Sequence, residues 1–244
     1  NLSPPALIIV GETVRFFQNG SRFRERILYL GTNPEKYKSL GTIIHHPMIA
    51  VSPATIDPGD ARHILDGLPR TDLILLTSRF AVRYFFEFLR RQGFDRKALR
   101  AVDFAVIGED TARALVNHGF YPLVTAEEET SEGLLSALEK SLALHGKRIV
   151  FPRSSLPNPF LKTELEKRGS IVDEITIYQN TKPPQRDLPA GPIDKILFTS
   201  PSTVGNFLQD YGRIPREWQI LAKGSRTREA LAAAGYSSEV LVFE

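Results

Sequence analysis

Short apolar runs alternate along this chain with longer stretches in which apolar residues return every three or four positions. Runs such as ILLT after Leu73 and ILFT after Lys195 suit buried parallel strands, and the stretches that follow suit helices covering them. The pattern also occurs twice. Asp72 to Leu89 (DLILLTSRFAVRYFFEFL) matches Asp194 to Tyr211 (DKILFTSPSTVGNFLQDY), with Asp, Ile, Leu, Thr, Ser, Val and Phe in register. Phe104 to Phe120 (FAVIGEDTARALVNHGF) matches Ile220 to Tyr236 (ILAKGSRTREALAAAGY), with Gly, Thr, Ala, Leu and Gly in register. Each copy predicts a strand, a small-residue turn, a helix, a glycine and a further strand.

A looser pair starts at Arg26 (RILYLGTNPEKYKSLGTIIHH) and Arg148 (RIVFPRSSLPNPFLKTELEKRGSIVDEITIY), each predicting a strand, a loop, a helix ending in Gly and another strand. Strands alternating with helices in this way predict an α/β protein built as a tandem duplication, with two doubly wound parallel-sheet lobes. Proline-rich breaks around His46 to Pro58 and Thr181 to Pro192 fall at equivalent places in the two copies. If both are crossovers, residues 23–46 and 182–244 form one lobe and 54–174 the other, with 47–53 and 175–181 as connecting strands.

In open parallel sheets, ligands bind beyond the carboxyl ends of the strands, where loops enter helix N-termini. The repeated turns sit there. Thr77, Ser78 and Arg79 in one copy, and Thr199, Ser200 and Ser202 in the other, close a strand and open a helix. Gly108 to Thr111 and Gly224 to Thr227 repeat the arrangement. Free backbone N–H groups in such first turns bind carboxylate or phosphate. The plainer reading, that the hydroxyls only cap helices, applies to any one turn alone. Tyr178 ends the strand ITIY just before the second break, and Arg153 with Ser154 follows the strand RIVFP. A phenol there can donate a hydrogen bond and a guanidinium can meet an anion, or both can simply pack at the surface.

Composition narrows these choices. Of 244 residues, 42% are hydrophobic and 24% charged, with no apolar run long enough to cross a bilayer. The first residues lack a secretory pattern and an initiator methionine, so the sequence reads as a fragment or processed chain, expected in the cytoplasm. With no cysteine, disulfides and thiolate chemistry are excluded. The net charge of +3 is spread along the chain, which argues against a nucleic-acid partner. The five histidines do not cluster, so no metal site is expected; Glu127 to Glu129 read as the solvated start of a helix at Ser131 to Leu144. Neither a P-loop nor a GxGxxG turn follows a strand, so no nucleotide cofactor is indicated.

Taken together, LTS and FTSPS after strands, VIGEDTA and AKGSRT before helices, FPRS, and RGSIVDEITIY resemble the uroporphyrinogen-III synthases from about Arg26 to Val242. The resemblance implies two flavodoxin-like lobes joined by a two-stranded ribbon. It also implies a cyclising hydro-lyase without cofactor, which converts hydroxymethylbilane into uroporphyrinogen III with inversion of the last pyrrole ring. Tyr178 matches the family tyrosine thought to assist departure of the hydroxyl, and Thr111 and Thr227 match its recurring threonines. Lys223 departs from the apolar residue usual before Gly, and Phe80 stands where some members carry arginine. The sequence stops after its last strand at Glu244, without the terminal helix that the first copy predicts. Ser3 to Val14 (SPPALIIVGETV) is similar to the last strand of uroporphyrinogen-III methyltransferases, so residues 1–22 are expected to be the tail of a fused methyltransferase domain. A monomer is expected. The reading from another class is a non-catalytic two-lobed binding protein for a small polyanion.

Overall fold

A computed structural model of the chain describes residues 24–156 and 158–241. The expected methyltransferase tail, residues 1–22, lies outside the described residues. The strands are β1 (Arg26–Tyr29), β2 (Thr42–His45), β3 (Ala50–Pro53), β4 (Leu73–Leu76), β5 (Asp103–Ile107), β6 (Val124–Ala126), β7 (Arg148–Ser154), β8 (Ile171–Thr181), β9 (Lys195–Phe198), β10 (Gln219–Ala222) and β11 (Glu239–Val240). The α-helices are α1 (Pro58–Gly67), α2 (Arg79–Arg91), α3 (Glu109–Val116), α4 (Ser131–Ser141), α5 (Phe160–Lys167), α6 (Pro201–Tyr211) and α7 (Ser225–Ala233).

The chain divides into a central unit, Val51–Thr181, and a terminal unit made of the residues up to Ala50 and those from Lys182 onward. In the terminal unit the sheet order is β2-β1-β9-β10-β11, all parallel, with Leu28 opposite Ile44 on one side and Ile196 on the other. Counted along the unit, this is the flavodoxin-like order, which reverses direction between β1 and β9. The central sheet runs β3-β8-β7-β4-β5-β6, with β3 beside β8 at one edge. Counting its β7 first reproduces the order of the other unit, because β7 and β8 are the sequence counterparts of β1 and β2. Its reversal falls between β7 and β4.

Both faces of the central sheet are covered, which explains why β4 is apolar at every position. Ile74 and Leu76 pack with Ile64, Phe85, Leu89 and Leu115 from α1, α2 and α3. Leu73 and Leu75 pack with Leu134, Leu138, Leu161 and Leu165 from α4 and α5. Full burial of such a side chain contributes about 1.5–3 kcal/mol.

In the terminal unit, Val204 and Phe207 of α6 and Leu231 of α7 cover Leu28, Ile196 and Phe198. On the opposite face, Ile27, Tyr29, Leu197 and Leu221 meet Tyr37. Here the expected helix after β1 is reduced to a 3-10 turn, Pro34–Tyr37. Its counterpart α5 buries Leu161 and Leu165 four residues apart, whereas the shorter segment buries Tyr37 alone. A single anchor does not offset the cost of nucleating an α-helix.

Candidate active site

The site in the central unit grows from the reversal between β7 and β4. After β4, Thr77 is half-buried and Ser78 takes extended backbone angles (φ −160°, ψ 157°) as the N-cap of α2. Its Oγ accepts the Ala81 N–H at 3.0 Å, satisfying one of the free donors of the first turn. Arg79 opens the helix with its guanidinium 4.7 Å above the Phe80 ring.

On the other side, β7 and β8 pair in register until Arg153 faces Thr176; the register then shifts, so that Ser154 faces Tyr178. The extra residue leaves Ile177 and Tyr178 both buried, although consecutive strand positions ordinarily point to opposite faces. The bulge thereby aims Tyr178 toward α2. Its hydroxyl lies 2.9 Å from Ser78 Oγ and also bonds the Ser154 side chain. The ring stacks on Tyr84 with centroids 5.8 Å apart and stands 6.1 Å from Phe80. Tyr84 is fixed in turn, donating its hydroxyl to the Val51 carbonyl at 2.9 Å.

Burial raises the Tyr178 pKa, more than the hydrogen bonds from Ser78 and Ser154 and the charge of Arg153 lower it. The phenol therefore keeps its proton at neutral pH. Arg153 is bound within the unit: Nη1 donates to Glu174 at 2.9 Å and Nη2 to the Leu156 carbonyl at 2.6 Å. The guanidinium thus bears on Tyr178 by its charge while its hydrogen bonds go elsewhere.

The Gly108 turn has a different character. Gly108 caps α3 at φ +73°, a conformation that glycine adopts without strain, and Thr111 is buried. Glu109 and Asp110 occupy the first turn, and the exposed Glu129 lies against it: a Cβ on Gly108 would stand 2.7 Å from Glu129 Oε1. Acidic groups already complement the positive end of this helix.

In the terminal unit, Ser200 caps α6 at φ −162° and ψ 160°, and its Oγ accepts the Thr203 N–H at 3.3 Å. Thr203 closes a capping box: its Oγ1 accepts from the Thr199 and Ser200 N–H groups, each at 3.2 Å, and donates to the Ser200 carbonyl at 2.7 Å. Thr199 is half-buried and Ser202 exposed. Gly224 opens α7 with extended backbone, φ −169°, and Thr227 is buried in the first turn behind Arg226.

The structure thus joins Ser78, Ser154 and Tyr178 directly, with Arg153 adjacent, while the Gly108 and Gly224 turns stand at the ends of β5 and β10. Sequence reasoning missed Thr203, Tyr84 and Gly31. For Thr203, the serine with a hydrogen-bonding residue three places on was a readable capping signal. Gly31 directly follows the β1 run, where a Cβ would stand 2.7 Å from Thr199 Oγ1, so glycine permits close packing at that strand end. Tyr84 gave no local signal, since it is one of several aromatic residues along α2. Among the described residues, no group of three or more His, Cys, Asp or Glu is arranged to hold a metal ion, and no helix is long and apolar enough to cross a membrane.

Two flavodoxin-ordered α/β units, each presenting capped helix N-termini at strand carboxyl ends and one presenting a buried tyrosine that keeps its proton, define a duplicated two-unit α/β protein. Residues 35–241 match the family described as Uroporphyrinogen-III synthase HemD, and the chain belongs to that family. It is similar to the porphyrin biosynthesis protein HemD of Ruminiclostridium josui, 24% identical over 100% of this chain and 51% of that protein. It is also similar to a putative uroporphyrinogen-III synthase of Methanothermobacter thermautotrophicus, 33% identical over 60% of each. The chain therefore spans between half and two thirds of the length of these relatives. Solved structures with the same fold include a mutant uroporphyrinogen III synthase of Thermus thermophilus, with TM-score 0.59, 22% identity and coverage of 88% of this chain and 91% of that one. Another is the uroporphyrinogen-III synthetase of Helicobacter pylori, with TM-score 0.58, 19% identity and coverage of 88% and 92%.

Proposed function

We propose that this chain cyclises hydroxymethylbilane to uroporphyrinogen III, inverting the last pyrrole ring and releasing one water. The observation that carries the reading is Tyr178, a buried phenol that keeps its proton and is held by two serine hydroxyls at the reversal of the central sheet. The linear tetrapyrrole carries eight carboxylates, and first-turn amides behind Ser78, Ser200 and Gly224 are suited to bind such groups; at Gly108 a substrate carboxylate would take the place of Glu129. Arg79, Arg153 and the hydroxyls of Thr77, Thr111, Ser154, Thr199, Ser202 and Thr227 complete the assignment.

In this scheme the Tyr178 phenol gives its proton to the hydroxymethyl oxygen as the C–O bond breaks. The oxygen keeps the electron pair and departs as water, while the pyrrole nitrogen lone pair stabilises the resulting azafulvene cation. The substituted end of the last ring attacks that carbon to give a spiro intermediate, which fragments and recloses with the ring turned over. The proton released on rearomatisation restores the phenol, so the net change is loss of one water. Orientation supplies the selectivity, because ring closure without the turn competes in solution. The reading carries with it a monomeric cytoplasmic enzyme that uses no cofactor and serves haem, sirohaem or cobalamin synthesis, as the C-terminal part of a methyltransferase fusion.

The test is incubation with freshly prepared hydroxymethylbilane and chromatographic resolution of the oxidised products. The type III isomer is expected. If the type I isomer alone forms, at the rate seen without protein, the proposal fails.

A further inference from the structure

Resting on the synthase reading of Tyr178, we propose that Ser78 is a positioning residue that acts through the phenol instead of on the substrate. It donates its hydroxyl proton to the Tyr178 oxygen, so that the phenol proton stays available for the departing group. A serine hydroxyl offers one proton and two lone pairs. One lone pair of Ser78 is committed to the Ala81 N–H at 3.0 Å, and the Tyr178 hydroxyl lies within hydrogen-bond reach at 2.9 Å.

That oxygen cannot swing away. Tyr178 is only 6% exposed, and its ring packs against both Tyr84 and Phe80. The direction of the bond follows from what surrounds each oxygen. Ser78 Oγ already accepts an N–H at the positive end of the α2 dipole, which weakens it as a further acceptor and strengthens its O–H as a donor. The phenol oxygen faces the charge of Arg153 and a second hydroxyl, Ser154, brought opposite by the β-bulge. Both favour electron density on the phenol oxygen, which makes it the acceptor. As negative charge grows there during proton release, the same bonds strengthen, so their effect is larger in the transition state than in the ground state.

The terminal unit supplies the counter-example. Its cap serine, Ser200, likewise accepts the N–H three residues on, from Thr203, but no tyrosine bonds to its hydroxyl among the described residues.

The experiment compares Ser78→Ala, Ser78→Gly and Ser78→Thr in the full chain, with and without Tyr178→Phe. Glycine is tolerated at an N-cap, so Ser78→Gly removes the hydroxyl with little effect on folding. Loss of one such hydrogen bond corresponds to about a tenfold drop in kcat. We expect that drop in Ser78→Ala and Ser78→Gly, KM close to that of the starting protein, near-normal kcat in Ser78→Thr, and no further drop when Tyr178 is already Phe. A rise in KM at unchanged kcat, or an undiminished effect in the Tyr178→Phe background, would overturn the proposal.

A second readout needs no substrate. Alkaline ultraviolet titration, taken as the difference between proteins with and without Tyr178, is expected to move to higher pH in Ser78→Gly. An unmoved Tyr178 ionisation also overturns the proposal. Because this titration is independent of turnover, failure of the positioning role is distinguishable from failure of the synthase reading, which the product assay on the unsubstituted chain tests alone.

Discussion

The N-caps of α2 and α6 have almost the same backbone angles, the same serine and the same accepted N–H three residues on, yet their surroundings differ. At α6 the third residue is Thr203, whose hydroxyl satisfies the Thr199 and Ser200 amides and returns a bond to the Ser200 carbonyl. At α2 the third residue is Ala81, which carries no hydroxyl to do this, and the cap serine's hydroxyl reaches Tyr178. Duplication preserved the backbone turn and the serine's bond to the third N–H; what differs is that Thr203 also ties down the turn's backbone in one copy, while in the other the serine hydroxyl meets a distant tyrosine. The glycine turns diverge in the same way: the α3 copy is ringed by Glu109, Asp110 and Glu129, while the α7 copy carries Arg226 and Arg228 around its buried Thr227.

The largest expected effect is on Tyr178, which the terminal cap lacks. Tyr178→Phe should lower turnover about a hundredfold, as for loss of a general acid, with a much smaller change in KM. Steady-state kinetics showing unchanged turnover would remove Tyr178 from the mechanism and leave the two caps functionally alike. Next, Thr203→Ala should destabilise the terminal unit by about 2 kcal/mol, because two amides lose their acceptor in a fully buried position. Trp218, the single tryptophan, packs in that unit and makes urea unfolding by fluorescence the direct measurement. A shift of the midpoint too small to resolve would mean that the capping box is redundant.

A smaller contrast is expected between the glycines. Gly108→Ala must hold a Cβ at positive φ and displace the Glu129 carboxylate, costing about 1–2 kcal/mol. Gly224→Ala, at extended backbone, should change stability by less than about 0.5 kcal/mol. Equal denaturation midpoints for the two variants would contradict the geometry.

The smallest effect concerns acid. Burial lowers the pKa of His46 below 6.5, assisted by Arg186 and His45 and opposed by Asp210. The folded protein thus binds fewer protons than the unfolded chain in mildly acidic solution. This contribution to stability is complete above that value and is lost as pH falls through the folded-state pKa. Burial, with Arg96, acts in the same direction on His118 of the central unit. The midpoint reported by Trp218 should therefore fall on acidification, and His46→Gln should flatten that dependence.

Much of this was legible locally. The matched segments became β4 with α2, β9 with α6, β5 with α3 and β10 with α7, because strand runs, cap residues and helical spacing are all short-range signals. Thr77, Ser78, Thr199 and Ser200 stand at the strand ends where the repeat puts them. The bond between Ser78 and Tyr178 was not legible: it spans 100 residues and depends on a register shift after Arg153 that no periodicity in RIVFPRSS or ITIY announces. The carboxylate of Glu129 beside Gly108 was hidden for the same reason, since Glu127 to Glu129 read locally as a solvated run. The 3-10 turn at Pro34–Tyr37 escaped because its sequence resembles its partner while burying one anchor in place of two.

The strand orders also bear on how the chain acquires its structure. In the terminal unit β1 must find β9, and the bond from Arg26 N–H to the Asp194 carboxylate closes a separation of 168 residues. The central unit lies wholly inside that interval and joins its own ends, with the Ala54 N–H bonded to the Ile177 carbonyl at 3.0 Å. Once folded, it shortens the effective loop to roughly a quarter, about two doublings of length, which reduces the closure entropy by ~1.2 kcal/mol. During synthesis it is also complete before β9 emerges. The inner unit is therefore the natural first folder, and the outer one assembles when its second half arrives.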